Sequence, residues 1–154
     1  MGKRVIVVGG GIAGMQTALK LSAGGVSALL LERDADLGGK LTGWHKLFPS
    51  FTPAHEVLDE LRRRLAASDV EVRTRCEVAE VARDGVMLST GERLEADAVV
   101  VATGFTLFDA RIKEEYGYGI YDNVYTTVDI ERMLNEGRVA LKDGTAPRRI
   151  AFLH

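Results

Sequence analysis

Val5-Ile6-Val7-Val8-Gly9-Gly10-Gly11-Ile12-Ala13-Gly14 joins an unbroken apolar run to a glycine-rich turn. The run is β-branched and lacks polar alternation, as in a strand buried on both faces of a parallel sheet. Gly9, Gly11 and Gly14 fall in G-x-G-x-x-G spacing. Beyond them, Ile12, Met15, Ala18 and Leu19 keep a helical period until Gly24 and Gly25 stop it. Ala28 to Leu31 then forms a second apolar strand that ends at Glu32. A strand, helix and strand of this length make a right-handed crossover, with the two strands adjacent and parallel.

The turn has a chemistry of its own. Gly9 permits the sharp exit from the strand, Gly11 lets the backbone approach a pyrophosphate, and Gly14 lets the helix pack against the sheet. With Gly10, Ile12 and Ala13 they put free amide hydrogens and the positive end of a helix dipole in front of an anion. Glu32 can accept hydrogen bonds from both hydroxyls of an adenosine ribose, and it would repel a 2′-phosphate, which disfavours NADP. Arg33 either flanks the adenine or is solvated. The alternative for the whole stretch is a glycine-rich turn with no ligand.

Working outward, Asp34 to Thr52 contains Gly38, Gly39 and Gly43 without a clean period, and reads as a long functional loop. Thr52-Pro53 is a helix start, a hydroxyl cap followed by proline, with Val57, Leu58, Leu61 and Leu65 along one face. Short strands follow at 70–75, 78–83 and 86–89, with a hairpin signal at Asp84-Gly85 and a tight turn at Thr90-Gly91-Glu92. Ala98 to Ala102 is fully apolar and therefore expected to be a central strand. The fold class is α/β: a Rossmann-like domain with a central parallel sheet and a small antiparallel β insertion. Residues 105–123 are aromatic and irregular; Thr127 is expected to cap a helix through Leu134, and Arg149 to Leu153 to begin a new strand.

With 154 residues the chain is long enough for one domain with a real core. Its net charge of −2 gives no broad pull toward nucleic acid or an anionic membrane. The Arg62, Arg63, Arg64 cluster has Glu56, Asp59 and Glu60 nearby and reads as a solvated helix face. No apolar run is long enough to span a bilayer, so membrane insertion is not expected and a cytoplasmic location is the default. A single cysteine, Cys76, rules out an intrachain disulfide, a four-cysteine cluster and a redox-active cysteine pair within these residues. It is read as a small buried thiol in a strand from Glu71 to Val78. No metal site is expected.

Gly38-Gly39-Lys40, after the glycine turn and Glu32, completes a pattern that resembles the FAD-binding fingerprint of the two-dinucleotide-binding-domain flavoproteins. Val99-Val100-Val101-Ala102-Thr103-Gly104 resembles a second signature of that superfamily, an apolar strand that passes close to the dinucleotide. NAD-only Rossmann domains have no need of the glycine pair or the later Ala-Thr-Gly, so FAD is favoured. The implied cofactor contacts are Gly9, Gly10, Gly11, Ile12, Ala13, Gly14, Glu32, Arg33, Gly38, Gly39, Lys40, Val78, Ala102, Thr103 and Gly104. Tyr116-Gly117-Tyr118-Gly119, with the neighbouring 113–115, 123–127, 131–135 and 147–153 segments, is similar to the A-type component of heterodisulfide reductase. This second resemblance is read over essentially the whole chain.

That family resemblance implies an FAD-dependent oxidoreductase component that passes electrons between a reduced carrier and partner iron–sulfur subunits. The chain departs from the family after Leu47-Phe48-Pro49, where Ser50, Phe51 and Thr52 stand in place of cluster-ligating cysteines. Residues 1–147 are taken as an incomplete FAD-binding domain and 148–154 as the start of a truncated second dinucleotide-binding domain. No side chain identifies itself as a catalytic acid, base or nucleophile; His45 and Lys46 either lie near the flavin or on the surface. The competing readings are a non-catalytic dinucleotide-binding module that acts by docking to a partner, and an NAD-binding domain.

Overall fold

The computed structural model describes residues 2–153. The chain forms two compact units, one from residues up to Thr42 plus Ala54–Phe105, the other from Gly43–Pro53 plus the residues from Thr106 onward. In chain order the elements are β1 (Arg4–Val8), α1 (Ile12–Ala23), β2 (Ser27–Leu31) and a 3₁₀ turn at Gly39–Gly43. The two-residue strands β3 (Lys46–Leu47) and β4 (Thr52–Pro53) precede α2 (Ala54–Ala66) and β5 (Glu71–Arg73). Then come β6 (Val78–Ala82), β7 (Gly85–Leu88), β8 (Arg93–Glu95), β9 (Ala98–Val101) and α3 (Thr127–Asn135).

The first unit has the α/β architecture expected from the opening motif. Its sheet runs β5-β2-β1-β9 with every pairing parallel, and β6-β7-β8 forms the separate antiparallel insertion. Side-chain alternation divides the parallel strands between two layers. Ile6, Val8, Leu29 and Leu31 pack against Val86, Leu88 and Leu94 of the insertion, with Cys76, Val78, Ala96 and Val99 at the margin. Val5, Val7, Ala28 and Leu30 alternate with them and are also buried. On the helical side α1 packs on β1 and β2, burying Met15, Ala18 and Leu19, and α2 packs on α1. Because each fully buried Leu, Ile or Val stabilises the fold by about 1.5–3 kcal/mol, this two-sided core outweighs any single turn or cap.

Several boundaries differ from the sequence expectation, each for a local reason. Thr52 and Pro53 pair with Leu47 and Lys46, so α2 starts at Ala54. β5 ends at Arg73, and Arg75 takes a left-handed φ of 54°, which leaves Cys76 outside the strand but packed against the core. The hairpin turn is Arg83-Asp84; Gly85 opens β7 because a Cβ there would lie 2.0 Å from the Leu94 carbonyl oxygen. Thr126, not Thr127, caps α3 through a reciprocal box with Asp129. Ala98–Val101 is an edge strand with Val101 59% exposed, since an apolar run reports on the faces of a strand and not on its lateral neighbours. Arg149 to Leu153 forms no strand, and Ile150, Phe152 and Leu153 are exposed.

Candidate functional site

The glycine turn sits where β1, β2 and β9 end. Gly9 donates to the Leu31 carbonyl at 2.8 Å and Ala102 donates to that of Val8 at 2.8 Å, which brings Glu32 and Ala102-Thr103 alongside the turn. Gly9 has φ 107°, and a Cβ there would lie 2.5 Å from the Ala102 carbonyl oxygen. At Gly14 a Cβ would fall 1.8 Å from the Gly9 carbonyl oxygen, so only glycine lets α1 begin this close to the strand. Gly11 differs from both. A Cβ on it would meet nothing within 4 Å: its missing side chain leaves open space in front of the helix.

That space is framed on its far side by the glycine pair. Gly38 donates to the Gly10 carbonyl at 2.9 Å and bridges Gly11 in parallel register, and a Cβ on Gly39 would stand 3.3 Å from Gly11 Cα. No side chain caps α1 at Gly11, and no acidic residue occupies its first turn. With no side chain accepting from them, the amides at that end present a partial positive charge.

Glu32 is buried, 6% exposed. Its Oε2 accepts from the Gly10 amide at 2.6 Å and its Oε1 from the Asp34 amide at 2.9 Å. The carboxylate thus faces the glycine turn and helps to shape it; each oxygen retains a further lone pair. Arg33 is exposed, with its Nε 3.9 Å from an Asp34 carboxylate oxygen. The Lys40 ammonium lies 4.9 Å from the centre of the Phe105 ring, a cation–π contact linking the glycine-pair turn to the segment beyond Gly104. Ile12 and Ala13 are exposed at the helix start, as are Thr103 and Gly104, and Ala102 is half-buried. The Val78 side chain packs against the core, which leaves its backbone as the part available to a ligand.

Three residues of this region escaped the sequence reading. Leu37 fills the space beside Gly10, where a Cβ would meet its Cδ2 at 2.5 Å. Phe105 receives Lys40. Arg62, read as part of a solvated face, is half-buried and donates from Nη2 to the Leu37 carbonyl. Its spacing offered a signal, since position 62 borders the buried stripe of Leu58, Leu61 and Leu65. Arg63 and Arg64 are exposed as expected.

In the second unit, His45 donates its amide to Glu131 at 2.6 Å and sets Nδ1 3.3 Å from Asn135 Oδ1, while Asn135 Nδ2 donates to Gly43 O at 2.9 Å. Asn135 Oδ1 carries no hydrogen, so a hydrogen bond across that contact has His45 Nδ1 as its donor. Lys46 is exposed in β3. Among the described residues no helix is long and apolar enough to cross a membrane.

Comparison with known proteins agrees with this geometry. Residues 7–60 match the NAD(P)-binding Rossmann-like domain and residues 45–131 match the pyridine nucleotide-disulphide oxidoreductase family. The A 1 iron-sulfur component of the CoB–CoM heterodisulfide reductase of Methanopyrus kandleri is 52% identical over 68 residues, 40% of this chain and 10% of the relative. The corresponding iron-sulfur component of the Methanocaldococcus jannaschii CoB–CoM heterodisulfide reductase is 42% identical over 67 residues, again 40% and 10%. The chain thus spans about a tenth of these curated relatives, and the alignments cover about two fifths of it rather than its full length. Among solved structures, 2-naphthoyl-CoA reductase bound to 2-naphthoyl-CoA has a TM-score of 0.51 at 25% identity, over 83% of this chain and 17% of that one. A tetrameric 2-methyl-3-hydroxypyridine-5-carboxylic acid oxygenase has a TM-score of 0.53 at 21% identity, over 64% and 38%, and shares the fold. Because its match to residues 45–131 takes in more than half of the chain, the chain belongs to the pyridine nucleotide-disulphide oxidoreductase family.

Proposed function

We propose that this chain holds the ADP half of FAD within a cytoplasmic oxidoreductase of the heterodisulfide reductase A type, which passes electrons between a reduced carrier and iron–sulfur partner subunits. The observation that carries this reading is the open space at Gly11, bounded by Gly39 and by the uncapped start of α1. A diphosphate suits that cradle by charge, because its oxygens accept amide hydrogens and a Cβ on Gly11 would intrude on them. Glu32 would take the ribose hydroxyls on its free lone pairs, with the backbone near Val78 and the Arg33 side chain toward the adenine. Ala102, Thr103 and Gly104 would border the diphosphate from the β9 side, with Lys40 adding charge. FAD, when bound, supplies the one- and two-electron transfer; the protein binds and orients it. Residues 1–147 are proposed as the FAD-binding domain. The exposed Ile150, Phe152 and Leu153 support reading 148–154 as the lead into a further domain.

Titration with FAD tests the reading. A shifted visible spectrum and a rise in thermal midpoint are expected; at a ligand concentration of 100 times Kd the stabilisation is about 2.7 kcal/mol. Neither change at saturating FAD would remove the cofactor assignment. A second reading, an NAD-binding domain, is favoured by the Rossmann-like match over residues 7–60. Calorimetry with FAD and NADH side by side separates the two, and tighter NADH binding would select it.

A further inference from the structure

We infer that Arg62 is a positioning residue that latches the glycine-pair loop against the phosphate-facing turn. The inference rests on the nucleotide reading of that turn but concerns a residue outside the motif. Between Glu32 and the 3₁₀ turn, residues 33–37 form neither helix nor strand, so their shape depends on the bonds made at each end. At the near end, Glu32 accepts from the Asp34 amide, and Arg75 donates to the Asp34 carbonyl at 2.9 Å. At the far end, Gly38 donates to Gly10, and Leu41 donates back to Gly38 at 3.1 Å. Between them, the Leu37 carbonyl is taken by the Arg62 guanidinium.

The latch has a rigid root. Arg62 follows Leu61, 1% exposed, and lies one turn from Leu58, 5% exposed, on a helix docked against α1. A Cβ on Gly38 would lie 3.0 Å from both Leu58 methyls, so α2 meets the loop through Leu58 as well as through Arg62. Among the described residues Arg62 makes no ion pair with a carboxylate, and neither does Lys40. A guanidinium bonded to a neutral carbonyl is not neutralised by a carboxylate, and here it is bonded one residue before the glycine pair. One group thereby fixes the loop and adds to the positive field that a diphosphate would meet.

Amide hydrogen exchange on the ligand-free chain, comparing wild type with Arg62→Gln and Arg62→Lys, tests the latch. Arg62→Gln is expected to speed exchange at Gly38 and Leu41 about tenfold, with Gly24 and Val26 at the end of α1 unchanged. Arg62→Lys, which retains a donor and the charge, should fall between the two. FAD should then dissociate several-fold faster from Arg62→Gln. Unchanged exchange at Gly38 and Leu41, or an increase spread evenly over α1, would overturn the latch. Since the exchange experiment needs no ligand, its failure is separable from a failure of wild type to bind FAD.

Discussion

The two units of this chain solve opposite problems. Among the described residues, every hydrophobic side chain in the buried core belongs to the first unit, from Val5 to Leu94, around a parallel sheet filled on both faces. The second unit shows the reverse: Phe48, Phe51, Phe108, Ile112, Ile120, Tyr121, Phe152 and Leu153 are all at least 60% exposed. What shapes it are polar links, including the Thr126–Asp129 box, the grip of Glu131 and Asn135 on Gly43–His45, and the Lys142–Asp122 pair. Hydrogen bonds can define a local conformation, but each contributes only about 0.5–1.5 kcal/mol net. The difference teaches where stability resides: the glycine turn, the proposed nucleotide site, is built on the unit that has a core.

The largest expected effect tests that contrast directly. Leu30→Ala removes a fully buried side chain packed near Gly14 and should cost about 2–5 kcal/mol, whereas Phe108→Ala, 65% exposed, should stay within about 0.5 kcal/mol. Denaturant unfolding of both variants measures this, and equal losses would break the comparison. A smaller effect is expected in α3. Thr126→Ala deletes the cap that accepts from the Asp129 amide and donates to its carboxylate, at a cost of about 1 kcal/mol. Exchange should rise in residues 127–135 and stay constant in α1; a rise in α1 would mean that the two units do not open separately.

The smallest effect is a pH dependence. Burial alone would push the Asp129 carboxyl up, but bonds from the Thr126 hydroxyl and amide, a bond from Tyr118 and the Arg132 charge together hold it below its ordinary 3.8. A carboxyl with a depressed folded value stabilises above the unfolded value and loses that contribution as pH falls through the folded one. Loosening of α3 is therefore expected only as pH falls below 3.8, where exchange in wild type should rise to meet that of Asp129→Asn, which lacks the charge at every pH. Loosening already at neutral pH would point to another group.

Much of the first unit was legible in the residues because its signals are local and strong. The apolar run before Gly9, the helical period after Gly11 and the stop at Gly24-Gly25 each specify one element, and the structure has β1, α1 and the following turn within those bounds. Lateral order was not legible: Ala98–Val101 carries the composition of a central strand and lies at the edge. The bonding of Glu32 to Gly10, and the reach of Arg62 to Leu37, join residues far apart in sequence through the geometry of a loop without periodicity. In the second unit the aromatic stretch gave no period, and its 3₁₀ turns at Ala110–Ile112 and Glu114–Tyr116 are too short to leave one.

Gly11→Ala gives the sharpest test of the nucleotide cradle. Gly11 has φ −74° and ψ −175°, which alanine adopts freely, and the added methyl meets nothing within 4 Å. Calorimetric titration with FAD should show saturable binding by wild type and binding about 100-fold weaker by the variant, with unfolding free energies within about 1 kcal/mol of each other. Equal FAD affinity in the two proteins would mean that no diphosphate lies against Gly11, and the cradle would have to be abandoned as the site.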